Sequence, residues 1–430
     1  MTQEWWLYLL IRVFTTPFRF FPYSWLHFLG KSFGSFAFYF LRSYRKRALS
    51  NLALAQGLGI QSDRELIRIA KESFQNLAIN ALEYARFDRE SDFSRVIQCD
   101  NPETANELHQ KGIGIIFFCG HQSNWEALFL DGTTRMRGTA IGKSIKNKLL
   151  YRWVVSIREK NGGKIIAQHN ALKEGLRALK KGIFLGIVGD QGMPSSSHSF
   201  PFLGRPARTS TAPALLACRT GSPLIVATTR RVKGGYRIHY SEPLWPDLTQ
   251  PVESEVVRLM DRSLTLLEES IKASPGEWLW QHNRWKQQTP HVVYKRFRHD
   301  CICIALPDDP TAFHEIAPHL PALRQIYSVE FLFLFVPERF KEIPLIPADE
   351  ICYYRNPEEL LRKDYRFKLL FNFTSTSLTK HYEKLSVFET LTLPTLKKLA
   401  EAHLPEQFTL TDVFQRALCR KGTLWKNDSM

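Results

Sequence analysis

The chain has 430 residues, 44% of them hydrophobic, which is too long for one ordinary domain and ample for a sizeable core. Its formal charge of +16 and pI near 9.5 favour anionic partners such as nucleic acid, an anionic bilayer or phosphorylated substrates. Seven scattered cysteines without a C-x-x-C pair read as reduced thiols and argue against a zinc framework. The basicity belongs to the first 300 residues, because residues 301–430 carry 16 Lys and Arg against 17 Asp and Glu.

Trp5 to Leu41 is apolar and aromatic, interrupted by Arg12, Arg19 and Lys31 and by Pro17 and Pro22. No uncharged run reaches the roughly 18 to 20 residues of a clean membrane span. Three readings stay open: a tilted span with a snorkelling Lys31, an amphipathic anchor lying in the membrane plane, or a buried helical hairpin of a soluble fold. Arg42, Arg45, Lys46 and Arg47 follow at once, and the positive-inside rule places them in the cytoplasm. Residues 1–47 are therefore expected to be a membrane anchor with a basic flank.

Ser62-Asp63-Arg64-Glu65 has capping-box form, and apolar spacing predicts a helix from there to about Arg86. The chain then alternates. Strands are expected at 113–118, 138–142, 164–168, 183–188 and 223–229, with helices at 124–131, 145–160, 170–180 and 210–219 between them. Such alternation predicts an α/β layered core with a mainly parallel sheet, spanning residues 48–288. A further strand at 236–241 and a helix at 252–272 precede three tryptophans among cations, Trp278 to Lys286. Gln287-Gln288-Thr289-Pro290 reads as a boundary. Residues 289–430 are expected to form a second, smaller α/β domain with four strands, comparable to a nucleotide-sugar half-domain but lacking a Gly-rich fingerprint.

Ligand sites in such sheets lie beyond the carboxyl ends of the strands, where His121 and Asp190 both fall. His121 and Glu126 in Gly120-His121-Gln122-Ser123-Asn124-Trp125-Glu126 sit on a strand-to-helix turn. An imidazole beside a carboxylate suits proton removal, the acid fixing the tautomer. Arg158 ends a helix before Gly162-Gly163, Gly189-Asp190-Gln191-Gly192 ends an apolar strand, and Phe200 to Thr209 reads as a loop carrying Arg205 and Arg208.

This ordered set resembles the lipid A biosynthesis acyltransferases, the late-acting lauroyl and myristoyl transferases within the lysophospholipid acyltransferase superfamily. The resemblance runs from the apolar N-terminus through Asn51-Leu52, the Glu83 region, Gly120-His121-x4-Glu126, Arg158, Asp190-Gln191, Pro201-Phe202-x-Gly204 and Thr220-Gly221 to His282-x-Arg284-Trp285-Lys286. It implies transfer of a fatty acyl group from an acyl carrier protein thioester to a hydroxyl of a lipid A precursor, at the cytoplasmic face of the inner membrane, with no cofactor, metal or nucleic acid. His121 is then the general base, oriented by Glu126. Arg158 and Asp190 join the catalytic set, Arg158 on a phosphate or the thioester oxyanion and Asp190 on Arg158 or the acceptor; a purely structural ion pair is the alternative. Asn124, Gln191, Arg205 and Arg208 are candidate substrate-binding residues, the arginines facing phosphates, the bilayer or solvent. Cys119 offers a covalent route but is expected to pack. Members usually end soon after the Lys286 motif, so the role of residues 289–430 is open.

Two other readings belong here. One is acylation of a lysophospholipid or another glycolipid. The E-G-T-R-type phosphate element of glycerol-phosphate acyltransferases is missing, and Gly189-Asp190-Gln191 stands in its place. The other is a basic, non-enzymatic protein on membranes or nucleic acid, which leaves the polar motifs at strand ends unexplained.

Overall fold

The computed structural model describes residues 3–286, 289, 291–374, 376–401 and 409–420. Two compact units emerge, and they do not follow the linear division expected from sequence: Met1–Leu41 with Ala55–Arg284 form one, and Arg42–Leu54 with Trp285–Met430 form the other. Of the expected boundary, residues 287, 288 and 290 lie outside the described residues.

In the first unit α1 (Gln3–Thr15) and α2 (Tyr23–Phe40) are separated by the turn around Pro17 and Pro22. Helix α3 (Arg42–Leu54) belongs to the second unit, and the chain returns through α4 (Asp63–Arg89). Ser62 caps α4, accepting from the Glu65 amide at 3.2 Å. Helix α2 packs on α4 through Leu26, Gly30, Gly34 and Phe38, and a Cβ at Gly34 would stand 2.3 Å from the Gln75 Cα. Only glycine permits that approach. The other face of α2 leaves Trp25, Phe28, Phe36 and Phe40 about 60% or more exposed, and α1 likewise exposes Trp6, Leu10, Val13 and Phe14. Both faces are apolar, yet no helix among the described residues is long and apolar enough to cross a membrane.

Then come β1 (Ile97–Cys99), α5 (Glu103–Gln110), β2 (Ile116–Cys119), α6 (Glu126–Arg135), β3 (Gly138–Gly142), α7 (Lys148–Arg158), β4 (Lys164–Ala167), α8 (Ala171–Leu179) and β5 (Phe184–Val188). The hairpin β6 (Ser199–Phe202) and β7 (Arg205–Arg208), α9 (Ala212–Thr220), β8 (Leu224–Val232), β9 (Gly235–Tyr240) and α10 (Val252–Ala273) complete the unit. The sheet runs β1-β9-β8-β2-β5-β3-β4, parallel except at β8–β9. All four residues of β2 are buried, as a central parallel strand covered on both faces requires. Burying Phe118 completely contributes roughly 2 to 3 kcal/mol. Strand β1 and helix α5 escape prediction because three residues and eight residues are too short for periodicity to register.

The second unit is built on a five-stranded parallel sheet. Its strands are β10 (Cys301–Ala305), β11 (Phe331–Pro337), β12 (Glu350–Tyr354), β13 (Leu369–Asn372) and β14 (Glu389–Leu391), in the order β12-β11-β10-β13-β14. Helices α11 (Pro310–Ile316), α12 (Pro321–Ile326), α13 (Thr376–Leu385), α14 (Leu393–Glu401) and α15 (Leu410–Leu418) connect or cover them. One strand more than expected is present, the short β14. The turn after β10 presents Asp308 and Asp309, and Asp309 is spent capping α11 at 2.8 Å. A diphosphate needs N–H donors there, so this turn gives no support to a nucleotide-sugar reading.

Helix α3 is fastened into this unit by polar contacts. Lys368, fully buried, donates to Asp300 at 2.7 Å and to Asn51 at 2.8 Å. Ser50 donates to the Arg366 carbonyl at 2.6 Å, and Lys46 to the Val387 carbonyl at 2.6 Å.

Candidate active site

Strand β2 ends at Cys119 beside Val188 of β5, and both chains turn there. Gly120 lacks a Cβ that would stand 3.0 Å from an Asp190 carboxylate oxygen, so the carboxylate slides beneath the turn. Asp190 Oδ1 lies 2.6 Å from His121 Nδ1, and Oδ2 accepts from the His121 backbone amide at 2.7 Å. Trp278 Nε1 donates to the same Oδ2 at 2.7 Å. Burial pushes the Asp190 carboxyl up, but the His121 charge and these hydrogen bonds outweigh it and bring it down to about 2. It is a fixed anion. The imidazole's other nitrogen, Nε2, lies 3.1 Å from Gln191 Nε2. With Nδ1–H donated to Asp190, Nε2 is left with its lone pair, held by the Gln191 amide.

Glu126 opens α6 as expected, but both of its oxygens are taken by Arg158, at 2.8 Å from Nε and 2.5 Å from Nη2. Tyr84 accepts from the same Nη2 at 3.2 Å. Burial lowers the Arg158 pKa, and the Glu126 charge and hydrogen bonds raise it above its ordinary value. The expectation that Glu126 orients the ring is therefore corrected: the carboxylate on His121 Nδ1 is Asp190, and Glu126 is paired with Arg158. Glu126 is held on α6, next to Arg158 at the end of α7, whereas the β2–β5 pairing sets Asp190 directly against His121.

His121, Trp125, Glu126, Arg158, Lys143, Gln168 and Gln191 surround the polar end of a cavity of about 400 Å³. Phe117, Phe129, Phe184 and Ala227 are among its apolar walls. A polar constellation at the mouth of an apolar slot can hold a chain-like ligand with its reactive end at the base. Among the described residues no group of three or more His, Cys, Asp or Glu side chains could hold a metal ion.

Residues 1–287 match the family described as bacterial lipid A biosynthesis acyltransferase. The chain belongs to that family. It is 24% identical over 273 residues to the lipid A biosynthesis palmitoleoyltransferase of Escherichia coli (strain K12), covering 62% of this chain and 86% of that protein. The lipid A biosynthesis acyltransferase of Shigella flexneri matches to the same extent. The family match ends close to where the second unit resumes at Trp285.

Within this lipid A acyltransferase framework the other candidates take definite places. Cys119 packs in the core as expected and also borders the cavity; burial pushes its thiol up, and it donates to the Ile187 carbonyl at 3.7 Å. A buried neutral thiol is a poor nucleophile. Asn124 does not face the cavity. It is buried and donates to Glu83 at 2.9 Å, while its carbonyl oxygen receives the Glu126 amide at 3.3 Å. These contacts shape the turn. Arg205 and Arg208 lie on the β6–β7 hairpin, which replaces the expected loop, and neither lines the cavity. Arg208 donates to the Ser196 carbonyl at 2.7 Å.

Trp278 was not singled out for the site by sequence reasoning, because its role depends on a strand-like run against the His121 turn: Gln122 bridges Trp278, and Leu279 donates to the His121 carbonyl at 3.0 Å. Nearby, Arg284 is completely buried, stacks over Phe202 at 4.4 Å and donates to Thr209 Oγ1 at 2.7 Å. Burial lowers it to about 10, so it stays charged at neutral pH. The closing motif thus ties the hairpin to the Asp190 loop. Glu83, fully buried, accepts from Asn124 and Tyr236 and pairs with His27 of α2 at 2.8 Å.

Proposed function

We propose that this protein transfers a fatty acyl group from an acyl carrier protein thioester to a hydroxyl of a lipid A precursor, with His121 as general base. The observation that carries the reading is the His121–Asp190 couple at the mouth of an apolar cavity. The acyl chain fills the cavity with its thioester carbonyl near His121. The acceptor hydroxyl displaces the Gln191 amide from Nε2 and attacks the carbonyl carbon as Nε2 takes its proton. The C–S bond then breaks, and the imidazolium returns the proton to the departing thiolate. Asp190 stabilises the imidazolium throughout. No acyl-enzyme is needed. Arg158, neutralised on one edge by Glu126, keeps a further N–H edge for an oxyanion or phosphate. Arg205 and Arg208 reach the acceptor's head group from the hairpin, outside the chain slot.

The exposed aromatic faces of α1 and α2 support an anchor lying in the plane of the inner membrane's cytoplasmic leaflet, which keeps the mouth beside its lipid acceptor. The test incubates wild-type and His121→Ala membranes with labelled acyl carrier protein thioester and a lipid A precursor. Labelled product is expected from wild type alone. Transfer persisting in the variant sinks the base assignment, and no product from either redirects the reading to other lipid acceptors.

A further inference from the structure

The cavity's lining holds a cation that proton transfer does not use. Its described lining includes one carboxylate, Glu126, and both oxygens of that carboxylate are consumed by Arg158. The second lining cation, Lys143, follows β3 directly, is exposed, and makes no ion pair among the described residues. Arg158 adds to this. Its Nε and Nη2 are committed to Glu126 and Tyr84, but Nη1 lies 3.6 Å from the point a Cβ on Gly142 would occupy. The free guanidinium edge is therefore aimed at the carboxyl end of β3, next to Lys143. From Lys143 to Arg158 the chain carries Lys143, Lys146, Lys148, Arg152 and Arg158 and no Asp or Glu. An exposed ammonium with no ion pair among the described residues and a half-committed guanidinium, both on the lining of one cavity, are the groups a bound anion would use.

We infer that Lys143 and the Nη1 edge of Arg158 form a phosphate-binding subsite at the mouth of the acyl cavity. The proposal rests on the acyl-transfer reading for its ligand. In that reaction a phosphate arrives either as the phosphodiester of the carrier's pantetheine arm or as a phosphate monoester of the acceptor lipid. Both present non-bridging oxygens to the same pair of cations. Lys143 then sets substrate affinity and register and takes no part in bond making.

The test uses the full-length enzyme in membranes, as wild type, Lys143→Ala and Lys143→Arg. Initial rates are measured while the acyl carrier protein thioester and the phosphorylated precursor are varied in turn. Lys143→Ala is expected to raise KM about tenfold for one of the two, as loss of a charge-assisted hydrogen bond does, with kcat within about twofold. Lys143→Arg should restore most of the loss. The co-substrate whose KM rises identifies the phosphate, and a dephosphorylated precursor should cancel the difference if the acceptor supplies it. Unchanged KM for both, or a fall in kcat that arginine does not restore, overturns the subsite. A second measurement is independent of the reaction: inorganic phosphate at constant ionic strength should raise the unfolding temperature of wild type more than that of Lys143→Ala. Equal shifts would overturn the subsite even if transfer occurs, whereas unequal shifts without transfer would keep the subsite and sink the acyl-transfer reading.

Discussion

Asp190 grips His121 at two points, its Oδ1 on the ring Nδ1 at 2.6 Å and its Oδ2 on the backbone amide at 2.7 Å. The first contact sets the tautomer and the second sets the distance between the two turns. Asp190→Asn keeps the shape but loses the charge that stabilises an imidazolium. Initial rates should show kcat lowered by about 10² to 10⁴ with KM little changed. Trp278→Phe removes one of the donors on the carboxylate and should cost about tenfold or less.

The same carboxylate makes stability depend on pH. Its folded pKa of about 2 lies below the ordinary aspartate value of 3.8, so the folded state binds its proton less readily than the unfolded chain. The stabilisation is fully present above about pH 4 and is lost as pH falls through about 2. Urea unfolding between pH 6 and pH 2 should show this loss in wild type and a flatter profile in Asp190→Asn.

The Glu126–Arg158 pair also braces the fold, each partner neutralising the other in a mostly buried setting. Glu126→Ala strands the guanidinium and should destabilise the protein by about 3 kcal/mol in chemical denaturation. Adding Arg158→Met should recover part of that stability, because no unpaired charge then stays buried. A double variant as unstable as the sum of both single changes would contradict the brace.

Ala227 lies on the cavity wall across the sheet from β3, where a larger side chain takes volume from the slot. Mass spectrometry of products formed by Ala227→Leu from a mixture of thioesters should show a shift toward shorter acyl chains than wild type uses.

Removing the second unit should not leave a neutral remainder. Truncation at Lys286 strips α3 of the partners of Asn51 and Ser50 and deprives the buried Leu49 and Leu52 of cover from their own unit. Such a chain should aggregate on expression. Lys368→Ala in the intact protein should cost about 3 kcal/mol by leaving Asp300 buried and unpaired.

Much of the architecture was legible in the chain. The apolar run before Gly120, the Gly-marked turns and the Ser62 cap announce strands and helices by local rules, and most of those elements stand within a few residues of where periodicity puts them. The short β1 and β14 and the β6–β7 hairpin were not legible, because three or four residues carry too little pattern and pairing, not propensity, makes them strands. The site residues were nameable for the same local reason: His121 and Asp190 each follow an apolar strand that ends in glycine.

Which residue meets which was decided in three dimensions. Chain order places β3 and β4 between β2 and β5, yet the sheet sets β5 directly beside β2. That adjacency carries Asp190 to His121 across 69 positions, and leaves Glu126, five residues away, to Arg158. It also takes tertiary packing to assign α3 to the C-terminal unit, because a buried Lys368 needs Asn51 and Asp300 together and no local pattern encodes a partner 317 residues distant. Sequence determines where strands end and which polar groups stand there; strand order and burial alone determine how those groups pair.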